Sequence, residues 1–169
     1  MRKRSLLLLL PLLAFVLVPA VTLTADTVMV YTEDVAGNGD AKLSRGYLED
    51  GVMSVFFDAG HIVFNSFPEA AEGTESPEGF SDRFPVRAAK SGGATLLLEI
   101  GMSFNEDKEE PFPVSVDYRF FRIISEELLV NGSVDLNEVR TEEEKEELEK
   151  KELVRRLGER VAHDALSGL

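Results

Sequence analysis

The sequence contains no cysteine among its 169 residues, and this absence excludes several kinds of chemistry. Disulfide bonds cannot form, even in a compartment that would permit them. The acylated cysteine that tethers many bacterial envelope lipoproteins is missing, and so is any thiol nucleophile. Because no covalent cross-link is available, the fold has to be held together by a packed hydrophobic core.

Basic residues are scarce once the first four positions are passed. Three of the 18 basic residues lie in the first 25 positions, which contain no acidic residue. The remaining 144 residues therefore carry 15 basic and 31 acidic side chains, a formal charge of −16. Such a surface repels the phosphates of nucleic acids and anionic lipid headgroups, so neither is an expected partner. A basic protein or a cation remains compatible with this charge.

The only long hydrophobic run lies at the amino terminus, where residues 1–25 have the pattern of a secretory signal peptide. A basic start is followed by the nearly uncharged stretch Ser5 to Thr24, which opens with leucine at positions 6 to 10. This arrangement of a basic and an apolar region is typical of export signals. It predicts a protein of the periplasm or the extracellular space.

The fate of this leader has two possible outcomes. Small residues at Ala20 and Ala25 provide signal-peptidase sites, so cleavage after either one is expected. The apolar stretch also approaches membrane-spanning length, which leaves an uncleaved anchor as the alternative. Pro11 and Pro19 disfavour the anchor, because each removes a hydrogen bond from an already minimal helix. After cleavage we expect no stable membrane anchor.

Residues 26–169 are predicted to form a single mixed α/β domain, which is long enough to bury roughly two-thirds of its unfolded surface. The hydrophobic periodicity predicts the order β-α-β-α-β-β-β-α, hence a mixed sheet of about five strands covered by helices. The predicted elements are strands 27–32, 61–67, 94–104, 114–120 and 128–134, and helices 43–59, 84–90 and a long one starting after Thr141.

Some segments of this pattern carry more specific expectations. Gly60 follows the first helix where a left-handed cap is favoured, and Gly101 inside a strand indicates a bulge or a close backbone approach. Glu69 to Asp82 is an acidic segment with glycine and proline, typical of a surface loop. In the last helix only the second half has an apolar stripe, so Glu142 to Lys151 is expected to project into solvent or to contact a partner.

Three segments of the chain resemble one known group of proteins. They are the helix Leu48 to Gly60 leading into the strand His61 to Phe64, the junction Ala88 to Leu98 with its Gly92-Gly93 pair, and the hairpin Val116 to Gly132. Together they resemble the TolB amino-terminal-like superfamily of bacterial envelope proteins, which includes the penicillin-binding-protein activator lipoproteins and the curli secretion lipoprotein. The resemblance implies protein–protein contact in the envelope rather than catalysis. Lipid tethering is not carried over, because this chain has no cysteine.

Candidate catalytic and metal-binding residues are few. His61 and His163 are the only histidines, and their positions beside predicted core residues favour structural roles over metal coordination. No G-x-S-x-G elbow occurs, which disfavours a serine hydrolase. Paired carboxylates are available anywhere in so acidic a chain, so on their own they do not indicate glycosidase chemistry. We therefore predict no catalytic residue, no metal and no cofactor.

The candidate partner contacts are aromatic and acidic side chains: Phe80, Phe84, Phe121, Glu142 and Glu146. Exposed aromatic residues are enriched at protein interfaces. The alternative is that the short and the long helix cover opposite faces of the sheet and bury Phe80, Phe84, Phe112 and Phe121, and we favour this alternative slightly.

The sequence favours an exported, non-enzymatic envelope protein that acts as a protein-binding or assembly accessory module. One alternative is a small exported hydrolase or metal-binding protein that uses a carboxylate cluster. Another is a carrier with an apolar pocket. A pocket in which carboxylates and a histidine converge would favour the hydrolase, and a large hydrophobic cavity would favour the carrier.

Overall fold

A computed structural model of the chain describes residues 25–33, 39–66, 83–105, 112–139 and 150–169. Five strands and three helices lie within these residues, with a long helix at the C-terminal end. In chain order they are β1 (Thr27–Thr32), α1 (Gly39–Asp58), β2 (Ile62–Ser66), α2 (Phe84–Ser91), β3 (Leu96–Phe104), β4 (Pro113–Arg122), β5 (Glu127–Asp135) and α3 (Lys150–Leu166), with a single 3-10 turn, Leu136–Glu138, after β5. The predicted α/β class and element order are confirmed.

The five strands form one mixed sheet in the order β2-β1-β3-β4-β5. The pairs β2-β1 and β1-β3 are parallel, and the pairs β3-β4 and β4-β5 are antiparallel. Parallel neighbours need long crossovers, and α1 and α2 lie in those connections. Antiparallel neighbours need only short turns, which the hairpin segments supply.

The two faces of the sheet are covered unequally. Helices α1 and α3 pack on one face, here called the inner face, over a large core that includes Val30, Leu98 and Phe120. The short helix α2 packs on the opposite, outer face over a smaller core that includes Met29, Leu97 and Phe121. Strand β1, which lies inside the sheet between β2 and β3, is therefore buried on both faces, and this explains its continuous apolar sequence. The expectation that the short and long helices lie on opposite faces is confirmed.

Helices α1 and α3 touch at the level of their backbones. A Cβ atom built on Gly158 would lie 2.1 Å from the carbonyl oxygen of Leu48, and one built on Gly51 would lie 2.1 Å from that of Arg155. Both glycines are therefore required for the close approach of the helices. On α3 the flanking apolar stripe predicted from the sequence is buried: Leu153, Val154, Leu157, Val161 and Ala165.

A buried carboxylate fixes α1 to the edge strand β2. Glu49 is 5 % exposed and accepts hydrogen bonds from Arg45 Nε at 2.7 Å and from Asn65 Nδ2 at 2.8 Å. Because a buried carboxylate is costly unless it is paired, these contacts specify how α1 sits on β2.

The glycine expectations had different outcomes. Gly60 has φ of +87° directly after α1, as predicted for a left-handed cap. The prediction of a bulge or a close backbone approach at Gly101 was wrong. Gly101 pairs regularly with Asp117, and the irregularity of β3 lies between Ser103 and Phe104. A Cβ on Gly101 would meet no atom closer than 3.9 Å, so the backbone does not require glycine there.

Some expectations fall outside the described residues. They concern the leader, the loop Glu69 to Asp82 and most of the projecting segment that begins at Glu142. Among the helices that are described, none combines the length and the hydrophobicity that crossing a membrane requires.

Replacing Gly158 with alanine is expected to lower the free energy of unfolding by about 3 kcal/mol, because the new methyl group overlaps a main-chain oxygen that cannot rotate away. Gly46→Ala is the matched control, since a Cβ there has no atom within 4 Å. At this helical position alanine should raise stability by about 0.5–1 kcal/mol. Chemical denaturation of both variants measures the difference. Equal stability of the two variants would contradict the close helix crossing.

Stability is expected to fall at high pH through Tyr118. Burial of its ring and the nearby Asp164 carboxylate raise the pKa of the hydroxyl above its usual value of 10.0, with partial opposition from Arg160. A pKa raised in the folded state gives stability that is complete below pH 10.0 and is lost as the pH rises through the folded-state pKa. Denaturation curves between about pH 9 and 12 should show this loss, and Tyr118→Phe should show less of it. An identical pH dependence in both proteins would contradict the assignment.

Candidate binding surface

The outer face of the sheet has an apolar half and a polar half. Under α2 the face is apolar, and Val86 and Ala89 of the helix are fully buried there. Beyond α2 the same face of β3, β4 and β5 is polar instead of apolar, because the strand register places polar residues and a glycine in two rows. These rows are Glu99, Arg119 and Asn131, then Gly101, Asp117 and Ser133. This second region, together with Glu33 after β1, is called the polar outer face below.

A shallow depression of about 300 Å³ lies on the polar outer face. Gly101 lies in its wall, and a Cβ atom built there would meet no atom closer than 3.9 Å, so the absence of a side chain leaves this space open. The depression is lined by Glu33, Glu99, Ile100, Gly101, Asp117, Tyr118 and Arg119. The glycine that the sequence suggested for a bulge therefore has a different effect, since it keeps this surface concave.

A buried carboxylate at Glu99 organises the charges around the depression. Its side chain is 1 % exposed, and Arg83 donates a hydrogen bond to Oε1. Arg119 Nη2 lies 3.1 Å from Oε2 and 3.4 Å from Glu33 Oε1, so the guanidinium bridges the two carboxylates. The contact at Oε2 has ion-pair distance without hydrogen-bond alignment. Two cations thus compensate a charge that burial would otherwise make costly.

Arg83 marks the boundary between the two halves of the outer face. It directly precedes α2, pairs with Glu99 on the polar side and lies with its Cζ 5.9 Å from the centre of the Phe121 ring on the apolar side. A guanidinium above an aromatic face is attracted by the ring electrons. Glu99 and Phe121 therefore fix the start of α2 from two directions.

The lining of the depression offers carboxylates and a guanidinium but no histidine. His61 instead packs edge-on against Phe56, with ring centres 5.9 Å apart, and His163 is exposed in the last turn of α3. The described part of the chain contains no group of three His, Asp or Glu residues suited to a metal ion. The constellation that would favour a hydrolase is thus not formed by these lining residues, and the non-enzymatic function stays a prediction.

The structure describes two of the five candidate partner contacts, and the burial of Phe121 agrees with the alternative in which the helices cover the aromatic residues. Phe121 is only 8 % exposed beneath α2, so this residue is buried rather than available to a partner. Phe84 is half-buried, with its ring 5.9 Å from that of Tyr31. Phe80, Glu142 and Glu146 lie outside the described residues.

The polar outer face was missed in the sequence, although two signals for it were present. Asp117 and Arg119 alternate with buried residues of β4, which places them on one face. Glu99 is the single charged residue in the otherwise apolar run Leu96 to Ile100, and such a residue has to find a partner when the strand is buried. Neither signal identifies Arg83 or Glu33, which reach the site from other elements.

Solved structures with a similar arrangement include three bacterial proteins. The PelC dodecamer of Paraburkholderia phytofirmans is 9 % identical over 83 % of this chain and 87 % of its own, with a TM-score of 0.49. Lipoprotein GNA1162 of Neisseria meningitidis is 15 % identical over 64 % and 80 %, with a TM-score of 0.40. TolB of Acinetobacter baumannii is 11 % identical over 86 % and 29 %, with a TM-score of 0.39.

TolB and a lipoprotein are thus among the structural neighbours. At these identities the likeness concerns the fold and not the function. No protein-family model matches the chain, and no curated protein matches it.

Replacing Glu99 with glutamine is expected to lower the free energy of unfolding by about 2 kcal/mol, because Arg83 and Arg119 lose their shared buried anion. Glu33→Gln removes a carboxylate whose side chain is 54 % exposed and should cost less than about 0.5 kcal/mol. Denaturant titrations of both variants test the difference. A Glu99→Gln protein as stable as the Glu33→Gln protein would show that the buried charge does not organise this surface.

Proposed function

We propose that the protein is an exported, non-catalytic module that binds another protein of the cell envelope through its polar outer face. The observation that supports this most directly is the incomplete cover of the sheet. In α/β domains helices usually cover both faces, whereas here the described residues leave half of one face without a helix. The polar residues on that half of the face are suited to contact with solvent or with a partner.

The shape of this surface is better suited to a protein than to a small apolar ligand. Small-molecule sites are concave and mostly apolar and enclose most of the ligand. The depression here is shallow, and Glu33, Asp117 and Arg119 on its wall are charged and exposed. Non-obligate protein interfaces are, taken as a whole, about as polar as the rest of a protein surface, and their rims are polar.

The charges of the surface favour a partner with a cationic group. Three acidic residues, Glu33, Glu99 and Asp117, are among those that line the depression. The Arg119 guanidinium is already shared between Glu33 and Glu99, so Asp117 provides the acidic group opposite an incoming cation. The formal charge of the whole chain, −13, acts in the same direction by attracting basic partners at long range.

The sequence supports the exported location. A basic start, an apolar stretch and small residues at the end of the leader are the features by which export signals are recognised. The acidity of the remaining chain is compatible with protein contacts and disfavours nucleic acid.

Photo-crosslinking in intact envelopes tests the proposal. A photoreactive residue at Ser133, on the polar outer face, is expected to give a discrete crosslinked product of higher mass. The matched control is Ser54, which is exposed on α1 and should give none. Asp117→Lys should lower the yield from position 133 by about tenfold, which corresponds to about 1.4 kcal/mol of binding. Asp58→Lys, on the far side of the molecule, should leave it unchanged.

The contradictory result is equally specific. If position 133 gives only uncrosslinked monomer, or products that position 54 gives in equal yield, the polar outer face is not the binding surface.

A further inference from the structure

Strand β5 ends the sheet, and its outer edge is unpaired among the residues that the structure describes. Its other edge pairs with β4. The paired region extends from Asp135 opposite Ser115 to Glu127 opposite Arg122. The unpaired edge therefore presents main-chain N–H and C=O groups to the surroundings. Such an edge can accept an additional strand from another chain, with main-chain hydrogen bonds supplying affinity.

Two features that usually prevent strand addition, proline and lysine, are absent from this edge. β5 is nine residues long and contains neither proline nor lysine, which commonly protect edges. At its start Ile124 and Leu128 are 85 % and 47 % exposed. The irregularity in its pairing lies beside Phe121, which leaves the segment from Val130 to Asp135 regular. The opposite edge strand, β2, has only five residues.

The end of α3 provides an apolar border along the inner side of this edge. A Cβ on Gly168 would lie 2.4 Å from Val130 Cγ2, so the helix end lies directly against β5. The neighbouring Leu169 is 47 % exposed. Side chains of an added strand that point toward the inner face would cover these apolar groups, and burial of apolar surface favours the addition.

Acidic residues at both ends of β5 define the charge of the occupant. Glu126 and Glu127 are exposed at the start, and Asp135 and Glu138 are exposed at the end. An added strand with a basic residue at each end complements both pairs. A second copy of this chain is a poor occupant, because antiparallel pairing centred on Asn131 would put Glu127 of each copy opposite Asp135 of the other. Like charges directly opposite each other destabilise a strand pair.

We propose that the outer edge of β5 binds an extended segment of the envelope partner, with a basic residue at each end and apolar residues facing the end of α3. The inference rests on the proposed function for the existence of a partner, and it adds how that partner binds. Because β5 borders the polar outer face, one partner can occupy both surfaces.

Amide hydrogen exchange of the isotope-labelled protein tests the inference with a synthetic probe. The probe is a nine-residue peptide of alternating valine and threonine with lysine at both ends, and the control peptide has glutamate at both ends. When the concentration of the lysine peptide is about ten times its dissociation constant, amides on the unpaired edge of β5 should exchange roughly tenfold more slowly. The amides of β2 should change by less than about twofold, which makes the opposite edge an internal control.

Charge reversal of the edge gives a second, independent readout. The exposed pair Glu127→Lys and Asp135→Lys should abolish the effect of the lysine peptide and transfer it to the glutamate peptide. Unchanged exchange at β5 with either peptide would overturn the inference, as would equal protection of β2. Protection of the β5 amides without peptide would also overturn the inference. Protection at every protein concentration would mean that this chain covers its own edge. Protection only at high protein concentration would mean that a second copy covers it. Crosslinks from Ser133 alongside any of these results would leave the proposed function intact.

Discussion

Helices α1 and α3 touch through their backbones, and this contact determines how the sheet is covered. Gly51 and Gly158 face each other where any side chain would overlap a main-chain oxygen. At this distance the two helices together cover the inner face of the sheet, and the large core forms there. The outer face then needs only the short helix α2 for the smaller core. Among the described residues, no helix covers the other half of that face, which carries polar residues.

Glu99 connects this packing to the proposed binding surface. A fully buried carboxylate is tolerated because Arg83 and Arg119 approach it from two sides. Arg83 precedes α2, so the ion pair also sets where the covered half of the face ends. Arg119 also pairs with the exposed carboxylate of Glu33. One buried group thus helps to position a helix and to order the charges that a partner would meet.

The sequence predicted the elements well and the site poorly, for physical reasons. Runs such as Thr27–Thr32 and the alternation in β4 reflect local burial, which a sequence displays directly. Gly51 and Gly158 are more than 100 positions apart in the sequence. The local sequence around either glycine therefore does not predict that the two helices touch there. Gly101 was expected to mark a bulge or a close backbone approach, because local sequence does not distinguish these cases from a glycine that leaves surface space open. Phe121 was considered for partner contact, but α2 buries it.

We propose that a partner in the envelope covers the side of the molecule formed by the polar outer face and β5. Hydroxyl-radical footprinting compares the protein in native envelopes with the purified protein. Ile124 and Leu128, exposed beside β5, are expected to be shielded only in the envelope. Leu43 and Phe57, exposed on α1, should be labelled equally in both samples. Equal labelling of all four side chains in both samples, or shielding of the α1 pair alone, would show that no partner covers this side of the molecule.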